Sequence, residues 1–239
     1  MGTRKTPRSG NTTEEKVVFL TFDDGPSDNT VRILDTLKAY NNEGYNINAT
    51  FFVNGNNTEF GKFVYRRIID EGHAIGNHTF DHSYIVNYSS LDSFIENFEA
   101  LDILIYDTTG VKMDIFRFPG GSNNSVHKRY GPPTIMLDAI EYLKSRGYQY
   151  FDWNIDSGDA RAVVVPKDEI VTSVISRIGD RSNINILFHD SWAKTTTPEA
   201  LPEIIDYLIE GGYTFESLTK YSHYIHFEYV ADYPNKKIH

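Results

Sequence analysis

The chain has no cysteine, which excludes disulfides and every thiolate metal site. Basic residues are outnumbered: 23 Lys and Arg against 33 Asp and Glu leave a formal net charge of −10. That balance disfavours nucleic acid, whose binding needs a basic face to displace counterions. Long apolar runs are missing too, and none approaches the ~18 residues of a membrane span. The opening stretch, residues 1–15, is "MGTRKTPRSGNTTEE". It is polar, lacks the apolar centre of a signal peptide, and reads as a disordered linker or an appended segment, so any signal or anchor would lie upstream of it. No internal repeat or low-complexity block appears. The lack of cysteine is compatible with an extracellular setting without establishing one.

What is present is alternation. Hydrophobic residues make up 40% of the 239 residues and aromatics 14%, enough for a sizeable core in one large α/β domain. Apolar, β-rich runs recur at 17–22, 49–53, 73–76, 115–118, 148–155, 184–188 and 213–215. Helix-like segments lie between most of them, at 27–40, 60–71, 90–106, 133–146, 166–178 and 198–210, with Ser27 or Asp28 as a cap for the first. About seven such β/α units predict a parallel sheet with helices outside, most simply a distorted (β/α) barrel, with a doubly wound open sheet as the alternative. The domain is expected over 16–219, followed by a C-terminal tail, 220–239, that is packed or floppy.

Polar residues with chemical potential collect at the strand ends. Asp23 and Asp24 follow the first strand, His78 and His82 the third, Arg117 the fourth, Asp156 and Asp159 the fifth, and His189 the sixth. Barrel active sites sit at this end of the strands, so order and position alone point to an enzyme. His78 and His82 are four apart, a spacing that aims both imidazoles one way on a helical turn. With one carboxylate they make a common set for a divalent ion. The adjacent aspartates repel unless each has its own partner: one can hold a metal while the other takes a proton from water acidified by that metal. The plainer reading is a turn, because Asp-Asp-Gly-Pro also suits a turn before a helix N-terminus. His189 reads either as a core histidine or as an acid kept charged by a carboxylate such as Asp159. Arg117 reads either as an ordinary ion-pair residue or as a fork that fixes a site carboxylate.

Together these residues resemble the polysaccharide deacetylase family, the NodB-homology domain of carbohydrate esterase family 4. The likeness runs from about Val17 to Thr219. "TFDDG" (21–25), "HTFDH" (78–82), "RFPGG" (117–121), "DSGD" (156–159) and "LFH" (187–189) match the family's motifs in order. The resemblance implies a distorted (β/α) barrel with Asp24, His78 and His82 as metal ligands. It implies Asp23 as general base held by Arg117, and His189 as general acid tuned by Asp159. Gly120 would supply an oxyanion-holding N–H, and Leu187 would line the acetyl pocket. One divalent ion is implied: zinc first, with cobalt, nickel, manganese or iron as alternatives. The implied reaction removes acetyl groups from N-acetylglucosamine units of a glycan, peptidoglycan foremost, and releases acetate.

Chitin, chito-oligosaccharide or acetylated xylan are alternative substrates for the same site. A catalytically inactive carbohydrate-binding member and a small-amide hydrolase are the readings of another class. A cell-surface or extracellular place and a monomer are expected. Two positions depart from the family pattern: Gly120 and Ala160 stand where many members carry an aromatic residue. Trp153 and Trp192 could supply a stacking surface or pack in the core.

Overall fold

A computed structural model describes residues 15–227. The expected linker therefore lies outside the described residues except for Glu15, as does 228–239 of the tail. Eight strands form one parallel sheet: β1 (Val17–Asp23), β2 (Ala49–Val53), β3 (Ala74–Asn77), β4 (Ile115–Phe116), β5 (Gln149–Tyr150), β6 (Ile155–Asp156), β7 (Asn183–His189) and β8 (Thr214–Phe215). Their order is β5-β4-β3-β2-β1-β7-β6, with β8 paired to the start of β1. Helices α1 (Asp28–Asn42), α2 (Glu59–Asp70), α3 (Tyr84–Tyr88), α4 (Leu91–Thr109), α5 (Ile135–Ser145), α6 (Lys167–Ile178) and α7 (Thr197–Glu210) intervene. Of these, sequence spacing does not anticipate the one-turn α3. The first cap is as expected: Ser27 closes α1 in a reciprocal pair with Thr30, which satisfies two otherwise orphaned donors.

The alternation of β1 explains the architecture. Val18, Leu20 and Phe22 join the large core that α1, α2, α4, α6 and α7 cover, and Phe22 stacks between Phe51 and Phe188 at 5.1 and 5.4 Å. Phe19 points to the other face and packs with Phe52, Ile115, Phe151 and Leu218 inside the curl. Thr21 and Asp23 share that inner face by the period of two. A third apolar cluster fills the space between α4, α5 and β4, around Phe94, Phe98, Phe116 and Ile140.

The expected strand over 148–155 is instead two short strands at opposite ends of the sheet, β5 on β4 and β6 on β7. The reason is closure. Residues 151–154 carry the chain across the gap between the sheet's two edges. Phe151 N–H reaches back to Phe116 O at 2.9 Å and Asn154 N–H forward to Asn185 O at 3.1 Å. The described part of the tail fills what remains of the gap. Asp152 N–H donates to Ile225 O at 2.8 Å, Phe227 N–H donates to Asp152 Oδ2 at 2.8 Å, and the His226 ring lies flat on Tyr150 at 3.6 Å. The barrel is thus distorted, and the segment 225–227 is packed into it.

Candidate active site

The parallel register sets the strand ends level. Asp23, at the end of β1, pairs with Phe52 of β2 and with His189 of β7, Asn77 of β3 pairs with Phe116 of β4, and Asp156 pairs with Leu187. His78, Arg117 and Asp159 follow within a few residues of these ends. Asp23, Asp24, His78, His82, Arg117, Asp159, Leu187 and His189 therefore sit at or just below one rim.

The adjacent aspartates diverge as they must. Asp23 is almost wholly buried and turns inward, where Arg117 Nη1 donates to its Oδ1 at 2.9 Å. Arg117 is fully buried, and every arm of its fork is used. Nη1 also donates to Thr21 Oγ1 at 2.7 Å, Nη2 to Asn185 Oδ1 and Asp152 O at 3.2 Å each, and Nε to Phe151 O at 3.1 Å. The Phe52 ring lies 4.3 Å from its guanidinium carbon. A buried charge survives only if so paired.

Asp24 turns the other way. Its Oδ1 lies 3.5 Å from His78 Nε2 and 3.4 Å from His82 Nε2, and this buried oxygen has no hydrogen-bond partner. The ligand-type atoms of the three residues all lie within 4.8 Å of one another. Burial raises the Asp24 carboxyl pKa, but the two imidazoles outweigh it and hold that pKa well below the ordinary carboxylate range. Burial lowers His78, yet Asp23 and Asp24 push it above its usual value; His82 is lowered by burial and by His78. The two carboxylates thus draw positive charge to this spot. His78 Nδ1 lies 2.7 Å from Arg117 O, and a proton on that nitrogen leaves Nε2 with its lone pair toward Asp24. An orphaned carboxylate oxygen and two converging imidazole nitrogens fit a divalent ion.

The two histidines do not converge through a helical turn, as their spacing suggests. Residues 78–83 are irregular, and Thr79 has φ 69. Asn77 Oδ1 accepts from Thr79 N–H at 2.8 Å, and Asn54 Nδ2 donates to His78 O at 2.7 Å, so side chains brace the bend. Asp24 also has positive φ, 81. Such backbones cost about 1–3 kcal/mol and persist where their surroundings enforce them, commonly at functional sites. Here Asp24 N–H donates to Phe52 O, Asp190 N–H to Asp23 O and Asn54 N–H to Gly25 O. Gly25 has no room for a side chain, because a Cβ would lie 2.4 Å from Asp190 Oδ2. Asp190 is fully buried beneath this turn; burial, with the charges of Asp24 and Asp23, pushes its pKa up to about 7.

Across the rim, Asp159 Oδ1 bonds His189 Nδ1 at 2.7 Å, while Oδ2 accepts from His189 N–H at 2.7 Å and from Thr197 Oγ1 at 2.9 Å. Burial lowers the His189 pKa, but the Asp159 carboxylate reverses this and raises it to about 9. Leu187 is buried two residues earlier, on the same strand face as His189. Gly120 is exposed with φ 78, and its N–H donates to no backbone acceptor among the described residues. Ala160 is exposed on the turn after Asp159. Trp153 packs edge-on against Phe227 at 4.9 Å, whereas Trp192 is 80% exposed on the loop after His189.

Sequence reasoning passes over Thr21 and Asn185, whose side chains complete the cage of Arg117, and over Asp152, whose carbonyl oxygen joins them while its carboxylate serves Ser122 and Phe227. Their signal is there in hindsight: each is a polar residue inside an apolar run, and each is buried. Tyr84 and Asp190 are also missed.

A parallel barrel whose rim can seat a divalent ion between one carboxylate and two imidazoles defines a broad class of metal-binding enzymes. Sequence comparison narrows it: a profile of the polysaccharide deacetylase family matches residues 10–131, and the chain belongs to that family of enzymes. It is 31% identical over 222 residues to a peptidoglycan-N-acetylglucosamine deacetylase of Bacillus cereus, covering 91% of this chain and 75% of that protein. It is 36% identical over 209 residues to YheN of Bacillus subtilis, covering 84% of this chain and 66% of the relative's length. Among solved structures, the catalytic domain of peptidoglycan N-acetylglucosamine deacetylase from Eubacterium rectale superimposes with a TM-score of 0.82 at 34% identity, covering 93% of this chain and 97% of that one.

Proposed function

We propose that this chain is a metal-dependent deacetylase that removes N-acetyl groups from the N-acetylglucosamine units of peptidoglycan. The observation that carries the proposal is the division of labour at the rim. Asp24, His78 and His82 converge on one point, while Asp23 and His189 are each held ready by a separate buried partner. The substrate choice is supported by the Bacillus cereus and Eubacterium rectale relatives. The same reading has the enzyme work outside the cell membrane, where a wall substrate lies, and as a monomer, since it uses groups of this chain alone.

Asp24, His78 and His82 would hold the ion, zinc first, which when bound acidifies water and polarises the acetyl carbonyl. Asp23 takes the proton from the attacking water. Arg117 occupies its Oδ1, so Oδ2 is the oxygen that receives it. Gly120 N–H meets the carbonyl oxygen as charge develops there. Leu187 lines the space for the acetyl methyl. His189, charged by Asp159, delivers its proton from Nε2 to the departing nitrogen. The carbon–nitrogen bond breaks, leaving a free amine on the sugar and acetate.

The test is acetate release from purified peptidoglycan and from chitopentaose, with acetylated xylan as a third substrate, after chelation and after zinc is restored. Zinc-restored acetate, highest from peptidoglycan, is expected. No acetate from any of the three, with zinc bound, refutes the proposal. A larger yield from chitopentaose or xylan keeps the chemistry and changes the substrate.

A further inference from the structure

Tyr84 begins the short helix α3, two residues after His82. Its ring meets the His82 ring edge-on, centroids 5.5 Å apart, and stacks on Tyr88 at 6.1 Å and 18°. Tyr88 is itself fully buried, and its hydroxyl donates to Pro119 O at 2.9 Å. Tyr84 is thus braced between His82 and a ring anchored to the 117–121 loop. On that loop the hydroxyl of Tyr84 lies 3.0 Å from where a Cβ on Gly120 would stand, and its Cε1 lies 3.4 Å away. A side chain on Gly120 would need the Tyr84 ring to give by a few tenths of an ångström.

The buried hydroxyl of Tyr88 is taken up by Pro119 O, as sequestered tyrosine hydroxyls usually are; that of Tyr84 is not sequestered and is open to a ligand. The Tyr84 side chain is half-buried, and its hydroxyl makes no hydrogen bond among the described residues. A rigid ring therefore presents an unused donor and acceptor beside the exposed Gly120 N–H and the His82 imidazole. Neither the Arg117 cage nor the His189–Asp159 pair involves it. Sugars are bound by this combination: an apolar surface next to groups that give and take hydrogen bonds.

We infer that Tyr84 is a substrate-contacting specificity residue whose hydroxyl bonds a ring hydroxyl of the sugar unit that carries the scissile acetyl group. The inference rests on the deacetylase reading above. Gly120 N–H serves the acetyl oxygen, and Tyr84, one side-chain width away, reaches the neighbouring substituent of the same ring. The contact forms in the ground state and persists through the reaction, so it sets KM and leaves kcat alone.

The decisive variant is Tyr84→Phe, which keeps the packing on His82 and Tyr88 and removes one oxygen. Zinc content, melting temperature, kcat and KM are measured on chitopentaose and on peptidoglycan, and the affinity for a glucosamine pentamer is measured by calorimetry. The expected result is a KM raised about 3- to 10-fold, the range of one neutral hydrogen bond, with pentamer affinity weakened by the same factor. The kcat, zinc content and melting temperature stay at the wild-type values. A wild-type KM and pentamer affinity in Tyr84→Phe overturn the role of Tyr84 and leave the deacetylase reading standing. Loss of zinc in the variant also overturns it, because Tyr84 would then act through His82. A wild-type protein that releases no acetate from either glycan removes the parent reading and this inference with it.

Discussion

At the scale of single residues, two carboxylates with contrasting partners dominate. Asp23 faces a permanent cation, Arg117, and Asp159 faces a titratable one, His189. The second pair makes pH dependence predictable. The His189 pKa rises from 6.5 to about 9. The stability this pair contributes is therefore complete below about pH 6.5 and is lost as pH climbs through about 9. Activity follows the same limb, since the proposed acid must be charged. Asp159→Asn keeps a hydrogen-bond acceptor but removes the largest charge that opposes burial at His189, leaving only the weaker pull of Asp24 and Asp23. The alkaline limb of kcat should move down from near pH 9, with zinc content unchanged; an unmoved limb in the pH–rate profile would show that His189 is not the group titrating. The roles of such residues, and the partners Arg117 and Asp159, could be argued from the sequence, but the groups that hold Arg117 in turn could not. Thr21 and Asn185 matter because strand period and register place them under Arg117, and a single sequence shows neither.

At the scale of elements, the strands and long helices were legible because hydrophobic period tracks burial. The curl of the sheet was not. The run 148–155 reads as one strand because its residues are mostly apolar and aromatic. It breaks at Asp152, whose carboxylate is fully buried and answers three donors: Ser122 N–H at 2.9 Å, Ser122 Oγ at 2.5 Å and Phe227 N–H at 2.8 Å. One side chain thus ties the crossing segment to the loop that carries Gly120 and to the last described residues. Short-range pattern does not reveal a partner 75 residues away. Asp152→Ala should leave these donors unsatisfied and cost about 2–4 kcal/mol, the scale for stranded buried polar groups. Urea denaturation measures it; a midpoint within error of wild type would show that water replaces the carboxylate without loss.

At the scale of the molecule, the rim joins distant parts of one chain. Asp24 follows β1 and both histidines follow β3, so an ion held by all three cross-links strand ends that only the fold brings together. The unfolded chain cannot offer this set, and binding therefore adds directly to folding stability. At a zinc concentration about 100 times the dissociation constant the gain is about 2.7 kcal/mol. For a domain of this size that corresponds to a melting temperature about 5–10 °C higher. The rise should be reversed by chelation and should track the logarithm of free zinc. His78→Ala removes one ligand of three, so its melting curve should not respond to zinc or to chelator, and its acetate release should vanish with its zinc content. A wild-type melting curve indifferent to every divalent ion would break the ligand assignment even if acetate were released. A His78→Ala protein that still binds zinc and melts higher with it would move the site elsewhere on the rim.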